Sequence, residues 1–178
     1  MNFKPEPRIV KPFSDAVFKE VQEHVHQIRK CFDWPGLPYH DLNEGVETKF
    51  NRWFWHNLPV LRSIHQSVPL RIYASELFGM ALKPSYCFLS MYGPEGVCPP
   101  HTDRPQCQFT IDLLVRGGEE WPIYVEEKPY ILQPGEALCY SGTGQKHYRK
   151  PMKEDSRATY ANLAFFHWVP EEWMGALD

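Results

Sequence analysis

The chain lacks most of the features that would place it quickly. It has no CxxC pair, and its five cysteines, Cys31, Cys87, Cys98, Cys107 and Cys139, are odd in number. Neither a disulfide framework nor a thiolate zinc site is therefore expected. The cysteines read as reduced, mostly core-filling side chains of a cytoplasmic protein. No run of about 18 apolar residues occurs, so no membrane span is expected. The opening residues Met1-Asn2-Phe3-Lys4-Pro5-Glu6-Pro7 lead into no apolar stretch, so no secretory leader is expected either. There is no Lys/Arg-rich run and the net charge is −3, which disfavours a nucleic-acid partner. Repeats, low-complexity segments and linkers are absent, so the 178 residues read as one domain spanning 1–178.

What is present is a generous aromatic content of 15%, with 17 prolines and 11 glycines spread along the chain. That composition favours many turns and short elements. Residues 1–80 read as mainly helical. Ser14 caps a helix running to about Cys31, with Phe18, Val21, Val25 and Ile28 on one face. Residues 42–56 read as helical and then irregular. Pro59 starts a short helix with Val60, Leu61 and Ile64, and Pro69 opens another that Gly79 closes.

From residue 85 the pattern changes to short strands. Ser85–Tyr92 is rich in Tyr, Phe and Leu, and Gln108–Arg116 alternates with Phe109, Ile111, Leu113 and Val115 on one face. Further strands are expected at 121–126, 129–132, 137–140, 147–149 and 157–169, with Pro134-Gly135 as a tight turn. Helices first and short strands after imply an α+β fold, the helices packed on a β-sandwich or barrel.

Three residues form a candidate metal site: His101, Asp103 and His147. In extended chain, His101 and Asp103 share a face. Two histidines and one carboxylate on one face of an octahedron hold Fe(II) and leave positions open. The competing reading of Pro99–Asp103 is a surface turn.

The stretches Tyr92-Gly93-Pro94-Glu95-Gly96 and Pro100-His101-Thr102-Asp103 resemble the entry to the catalytic core of prolyl-4-hydroxylase-like 2-oxoglutarate/Fe(II) dioxygenases. Leu132 to Tyr140, with Gln133-Pro134-Gly135-Glu136 at its turn, is similar to the segment before their distal histidine, the place His147 takes. Arg157, ten residues on, and Thr159 match the family's Arg-x-Ser pair, and Ala164-Phe165-Phe166-His167-Trp168 its closing strand. The resemblance implies a double-stranded β-helix (jelly-roll, cupin-like) over 85–169, braced by N-terminal helices. It also implies an oxygenase with Fe(II) as metal and 2-oxoglutarate and O2 as co-substrates. Arg157 and Thr159 would grip 2-oxoglutarate, and Tyr92 or Tyr86 would donate to it. An Arg fork does match a carboxylate in a bidentate way. Arg149, two residues after His147, is the rival anion binder.

The expected reaction is hydroxylation of an unactivated C–H bond in a small molecule, an amino acid or specialised metabolite, releasing succinate and CO2. Desaturation, cyclisation and epoxidation remain open, as does the oligomeric state. The alternatives are hydroxylation of a peptide or protein residue, a cupin-like metal enzyme that does not use 2-oxoglutarate, and a non-catalytic β-sandwich binding module. Arg104, Trp53, Trp55 and Arg52 are the candidate substrate contacts.

Overall fold

The computed structural model describes residues 4–31, 44–153 and 160–178. Its helices form where the sequence supplies caps and an apolar stripe. Helix α1 (Asp15–Cys31) follows Ser14, whose hydroxyl accepts from the Val17 N–H at 3.5 Å. Val21 and Val25, one turn apart, are fully buried. Helix α2 (Pro59–His65) begins with proline at its first turn, where no N–H is needed. Helix α3 (Val68–Phe78) is capped by Ser67, whose side chain accepts from Leu70 N–H, and ends at Gly79 with φ +70°. That left-handed closure favours glycine. None of these helices is long and apolar enough to cross a membrane.

The strands form two antiparallel sheets. They are β1 (Arg8–Val10), β2 (Glu44–Glu47), β3 (Arg52–His56), β4 (Leu82–Tyr92), β5 (Cys98–His101), β6 (Phe109–Gly117), β7 (Ile123–Val125), β8 (Lys128–Tyr130), β9 (Ala137–Tyr140), β10 (His147–Arg149) and β11 (Ala161–Pro170). The larger sheet has the order β1-β9-β6-β11-β4-β3-β2, and the smaller β5-β10-β7-β8. Their facing arrangement is the expected double-stranded β-helix, an α+β fold.

Successive side chains of a strand point to opposite faces, and this alternation divides the molecule. One face of the larger sheet presents Trp53, Trp55, Leu89, Met91, Ile111, Leu113, Phe166 and Trp168, which pack with Val21, Val25, Leu61 and Phe78 of the helices. The expected face Phe109, Ile111, Leu113 and Val115 belongs wholly to this core. The other face of the sheet looks toward the smaller sheet. Between them one end is filled by Leu138, Tyr130, Leu132, Leu163 and Met152, and a cavity occupies the other. At Pro134-Gly135, Gly135 has φ +91° and Glu136 N–H donates to Gln133 O at 2.8 Å, which makes the expected turn.

Two departures from the sequence reading concern the N-terminal part. Residues 44–56, expected to be helical and then irregular, form the β2–β3 hairpin around a short 3-10 turn, Thr48–Phe50. The alternation Arg52, Phe54, His56 against Trp53, Trp55 suits a strand with one face in the core. β1, not expected, pairs with β9 and closes that edge of the sheet.

His65 tests the helix–sheet packing. It is 1% exposed and lies edge-on to Trp168, ring centroids 4.6 Å apart. Burial, with His167 nearby, lowers its pKa to about 3. The folded pKa is below the unfolded value, so the unfolded chain takes up the proton first as pH falls. Stability is complete above about pH 6.5 and declines toward pH 3, by about 1.4 kcal/mol per pH unit within that window. Urea unfolding of wild type and His65→Leu at pH 4.5, 5.5 and 7 should show the variant losing less stability on acidification. Parallel pH profiles would contradict the assignment.

Candidate metal centre

The site is built by a strand pairing. β5 and β10 are antiparallel, and their register places His101 directly opposite His147. Side chains opposite one another across such a pair approach closely, and the two imidazole centroids are 4.4 Å apart. Asp103 follows His101 by two residues, just past β5, and turns to the same side. His101 Nε2 lies 3.4 Å and His147 Nε2 3.5 Å from the same oxygen, Asp103 Oδ1. The three ligand atoms lie within 4.8 Å of one another.

Each imidazole is oriented from behind. His101 Nδ1 bonds the Pro99 carbonyl at 2.8 Å, and His147 Nδ1 the Gln145 carbonyl at 3.0 Å. The Nδ1 proton is thereby held on the backbone, leaving both Nε2 lone pairs for a metal. Burial pushes the Asp103 carboxyl up, but the hydrogen bonds from His101 and His147 prevail and hold it well below the usual carboxylate range. The same hydrogen bond, donated to Asp103, raises His101 to about 10. A divalent cation would satisfy the same three groups. The donor set, two imidazoles and a carboxylate on one side of a cavity, fits a non-haem iron.

Asp103 is itself positioned by backbone. Its N–H donates to the Gly142 carbonyl at 2.8 Å, and Cys107 N–H closes the following turn on the Arg104 carbonyl at 2.9 Å. A side chain at Gly142 would collide with the Cys107 carbonyl, Asp103 Oδ2 and Thr110 Oγ1. Gly142 therefore lets the β9–β10 loop pass against the carboxylate, a role its sequence context did not disclose.

A second cluster, Asp103, Cys107 and His167, also brings ligand atoms within 4.8 Å. It suits a metal less well. The Cys107 thiol is 3.0 Å from Tyr86 Oη, and burial pushes it up to about 12, whereas metal binding needs the thiolate. His167 Nδ1 is engaged by Thr110 Oγ1 at 3.1 Å, and burial lowers its pKa to about 4. His167 is thus a neutral, packed residue that also borders the cavity.

The cavity beside the triad has a volume of about 280 Å³. Tyr86, Tyr92, Arg52, Arg104 and Arg149 line it. Trp53 and Trp55 do not. They are 2% and 9% exposed and point into the helix-covered core, because they have the opposite strand parity to Arg52. Their neighbours Phe54 and His56 take the cavity wall instead. Arg157 and Thr159 lie outside the described residues.

Two of the cavity arginines are committed. Arg149 donates to Asp112 Oδ2 at 2.8 Å and to the Trp121 carbonyl at 2.7 Å. Asp112 is fully buried, and its Oδ1 has no hydrogen-bond partner among the described residues. Burial pushes this carboxyl up against the pull of Arg149. Arg52 pairs with Glu47 at 2.5 Å and donates to Tyr92 Oη at 3.1 Å. Asp112 was missed from sequence, although a carboxylate within the apolar run Phe109–Val115 was the available signal.

No family model matches the chain, and no curated protein does so by sequence. Solved structures do match. AviO1 from Streptomyces viridochromogenes Tue57 superposes with a TM-score of 0.72 at 12% identity, over 97% of this chain and 93% of that one. HygX from Streptomyces hygroscopicus, with nickel and 2-oxoglutarate bound, gives 0.64 at 9% identity, over 94% and 84%. A Pseudomonas putida prolyl-4-hydroxylase gives 0.62 at 12% identity, over 93% and 92%. At these identities the likeness establishes the fold.

Gly142→Ala should preserve the fold and weaken metal binding. Disturbing a group that orients a ligand typically lowers affinity about 10–100-fold. Titration with Co(II) or Ni(II), alongside circular dichroism, measures both. Wild-type affinity in the variant would exclude the positioning role of the Gly142 loop.

Proposed function

We propose that the chain is a non-haem Fe(II) oxygenase that uses 2-oxoglutarate and hydroxylates a small organic substrate. The observation that carries this reading is the convergence of His101 Nε2 and His147 Nε2 on Asp103 Oδ1 at the mouth of a double-stranded β-helix. Iron held there would supply O2 activation coupled to decarboxylation of 2-oxoglutarate to succinate and CO2. The filled carboxylate position at Asp103 favours hydroxylation. The fold shared with HygX, a structure that holds nickel and 2-oxoglutarate, supports the co-substrate. A cavity of about 280 Å³ is at the small end for ligand sites, and co-substrate would take part of it. This supports a small acceptor over a peptide residue.

Arg157, assisted by Thr159, anchors the far carboxylate of 2-oxoglutarate in this proposal. Two observations support it over Arg149. Arg157 precedes β11, the strand that carries Phe165 and His167 into the cavity. The Arg149 guanidinium is already held by Asp112 and the Trp121 carbonyl. Arg149 acts as a buried post between the sheets, and Tyr92, held by Arg52, and Tyr86 remain candidate donors to co-substrate.

Aerobic incubation with Fe(II), 2-oxoglutarate and a small-molecule library should release succinate, and His147→Ala should abolish it. Metal binding without binding or consumption of 2-oxoglutarate would favour the cupin-like alternative. The two arginines separate by phenotype. Arg157→Ala should raise the apparent KM for 2-oxoglutarate tens- to thousands-fold, since losing one partner of such a pair costs about 2–5 kcal/mol, with little change in unfolding. Arg149→Ala should instead destabilise the fold by about 3–5 kcal/mol, because it leaves Asp112 buried without its cation. A stable Arg149→Ala protein that no longer binds 2-oxoglutarate would reverse the assignment.

A further inference from the structure

The cavity holds a cation that the fold does not consume. Of the arginines that line it, Arg149 is neutralised by Asp112 and Arg52 by Glu47. Arg104 is different. Among the described residues no carboxylate lies within salt-bridge distance of it, and its side chain is exposed at the rim directly after the ligand Asp103. It is nevertheless held in place. Its guanidinium carbon sits 4.9 Å over the Tyr86 ring, and Tyr86 is anchored in turn by Cys107 at 3.0 Å. The guanidinium also hydrogen-bonds the Tyr86 side chain, which leaves its remaining N–H donors for a ligand.

The opposite feature lies in the same cavity. Phe54, Phe88 and Phe165 are only half-buried and turn their rings into the same space. Phe54 and Phe88 stack at 5.7 Å and an interplanar angle of 18°, and Phe165 lies 6.0 Å from Phe88. They come from three adjacent strands, β3, β4 and β11, and form an apolar face bordered by His56, whose ring is 4.8 Å from Phe88, and by the Arg52 guanidinium, 5.2 Å over the Phe88 ring. Apolar rings kept out of the core inside a concave site gain by covering with ligand.

We infer that the acceptor substrate is a small carboxylic acid with an aromatic or branched apolar body, its carboxylate gripped by Arg104 and its body laid on the Phe54–Phe88–Phe165 wall. This rests on the oxygenase reading for what happens to the bound acid, but not for the binding itself. Because Arg149 and Arg52 each face a carboxylate, Arg104 remains for an anion brought by the substrate. The cavity volume limits that acid to a few carbons beyond its ring or branch.

The test uses the Ni(II)-loaded full chain and two probes of one shape, 3-phenylpropanoate and the neutral 3-phenylpropanamide. Binding is measured by calorimetry, with and without saturating 2-oxoglutarate. The acid should bind at least about tenfold more tightly than the amide. Arg104→Gln should erase that preference, Arg104→Lys should keep part of it, and neither should change 2-oxoglutarate affinity. Phe88→Ala should weaken acid and amide alike. Equal binding of the two probes, no binding of the acid at millimolar concentration, or an undiminished preference in Arg104→Gln would each overturn the inference. Loss of 2-oxoglutarate binding in Arg104→Gln would also overturn it, by giving Arg104 to the co-substrate. If wild type binds no 2-oxoglutarate, the oxygenase reading fails, while the acid–amide preference measured without it still decides the role of Arg104.

Discussion

The centre depends on a strand pairing of a few residues, the register of β5 against β10. Because His101 and His147 are directly opposed, a shift of one residue would send one imidazole to the far side of the sheet. The short β10 is secured along its length. His147 turns to the metal site. Tyr148 faces the other way, where its ring stacks on Tyr124 at 4.9 Å and its hydroxyl donates to Glu127. Arg149 turns inward again and reaches Asp112 on β6 of the larger sheet. Before the strand, Gln145 accepts from Ser141 N–H and donates to the Pro5 carbonyl, which ties the loop to the N-terminal segment.

The Arg149–Asp112 pair joins the two sheets at the floor of the cavity. A buried ion pair adds little net stability, since desolvation offsets most of its attraction. What it adds here is geometry. The planar guanidinium spans Asp112 on one sheet and the Trp121 carbonyl on the β6–β7 connection, so β10 cannot slide without breaking both bonds. The remaining Asp112 oxygen, without a partner among the described residues, makes loss of the cation expensive. The same charge that sets the register thus stands two residues from the candidate ligand His147.

Much of this was legible in the sequence, and the exceptions share a cause. Helix limits followed from Ser14, Pro59 and Gly79, and the β6 core face from its alternation, because caps and periodicity are local signals. The His101/Asp103 spacing was legible for the same reason. Residues 44–56 were misread because strand β3 is only five residues long and carries aromatics on both faces, so no apolar–polar alternation marks it. Without the strand there was no parity, and Trp53 and Trp55 could not be told from Phe54 and His56. Asp112, Gly142 and Cys107 matter through contacts distant in sequence, which one chain read in order does not display.

The site divides its work between two sets of elements. The candidate metal ligands come from the strands and loops after residue 85, whose register is held by backbone pairing and buried charge. Part of the apolar wall and the Arg52–Glu47 pair come instead from the β2–β3 hairpin, which joins the sheet at its edge through β4. An edge hairpin makes fewer cross-strand contacts than the inner strands, so its cavity-facing residues can vary without disturbing β5 and β10. Phe54 and His56 alternate with core tryptophans that anchor the strand from behind, which leaves the cavity face free to differ in size and charge. The β2–β3 hairpin therefore shapes part of the cavity wall, while β5, β10 and the Gly142 loop hold the candidate metal ligands.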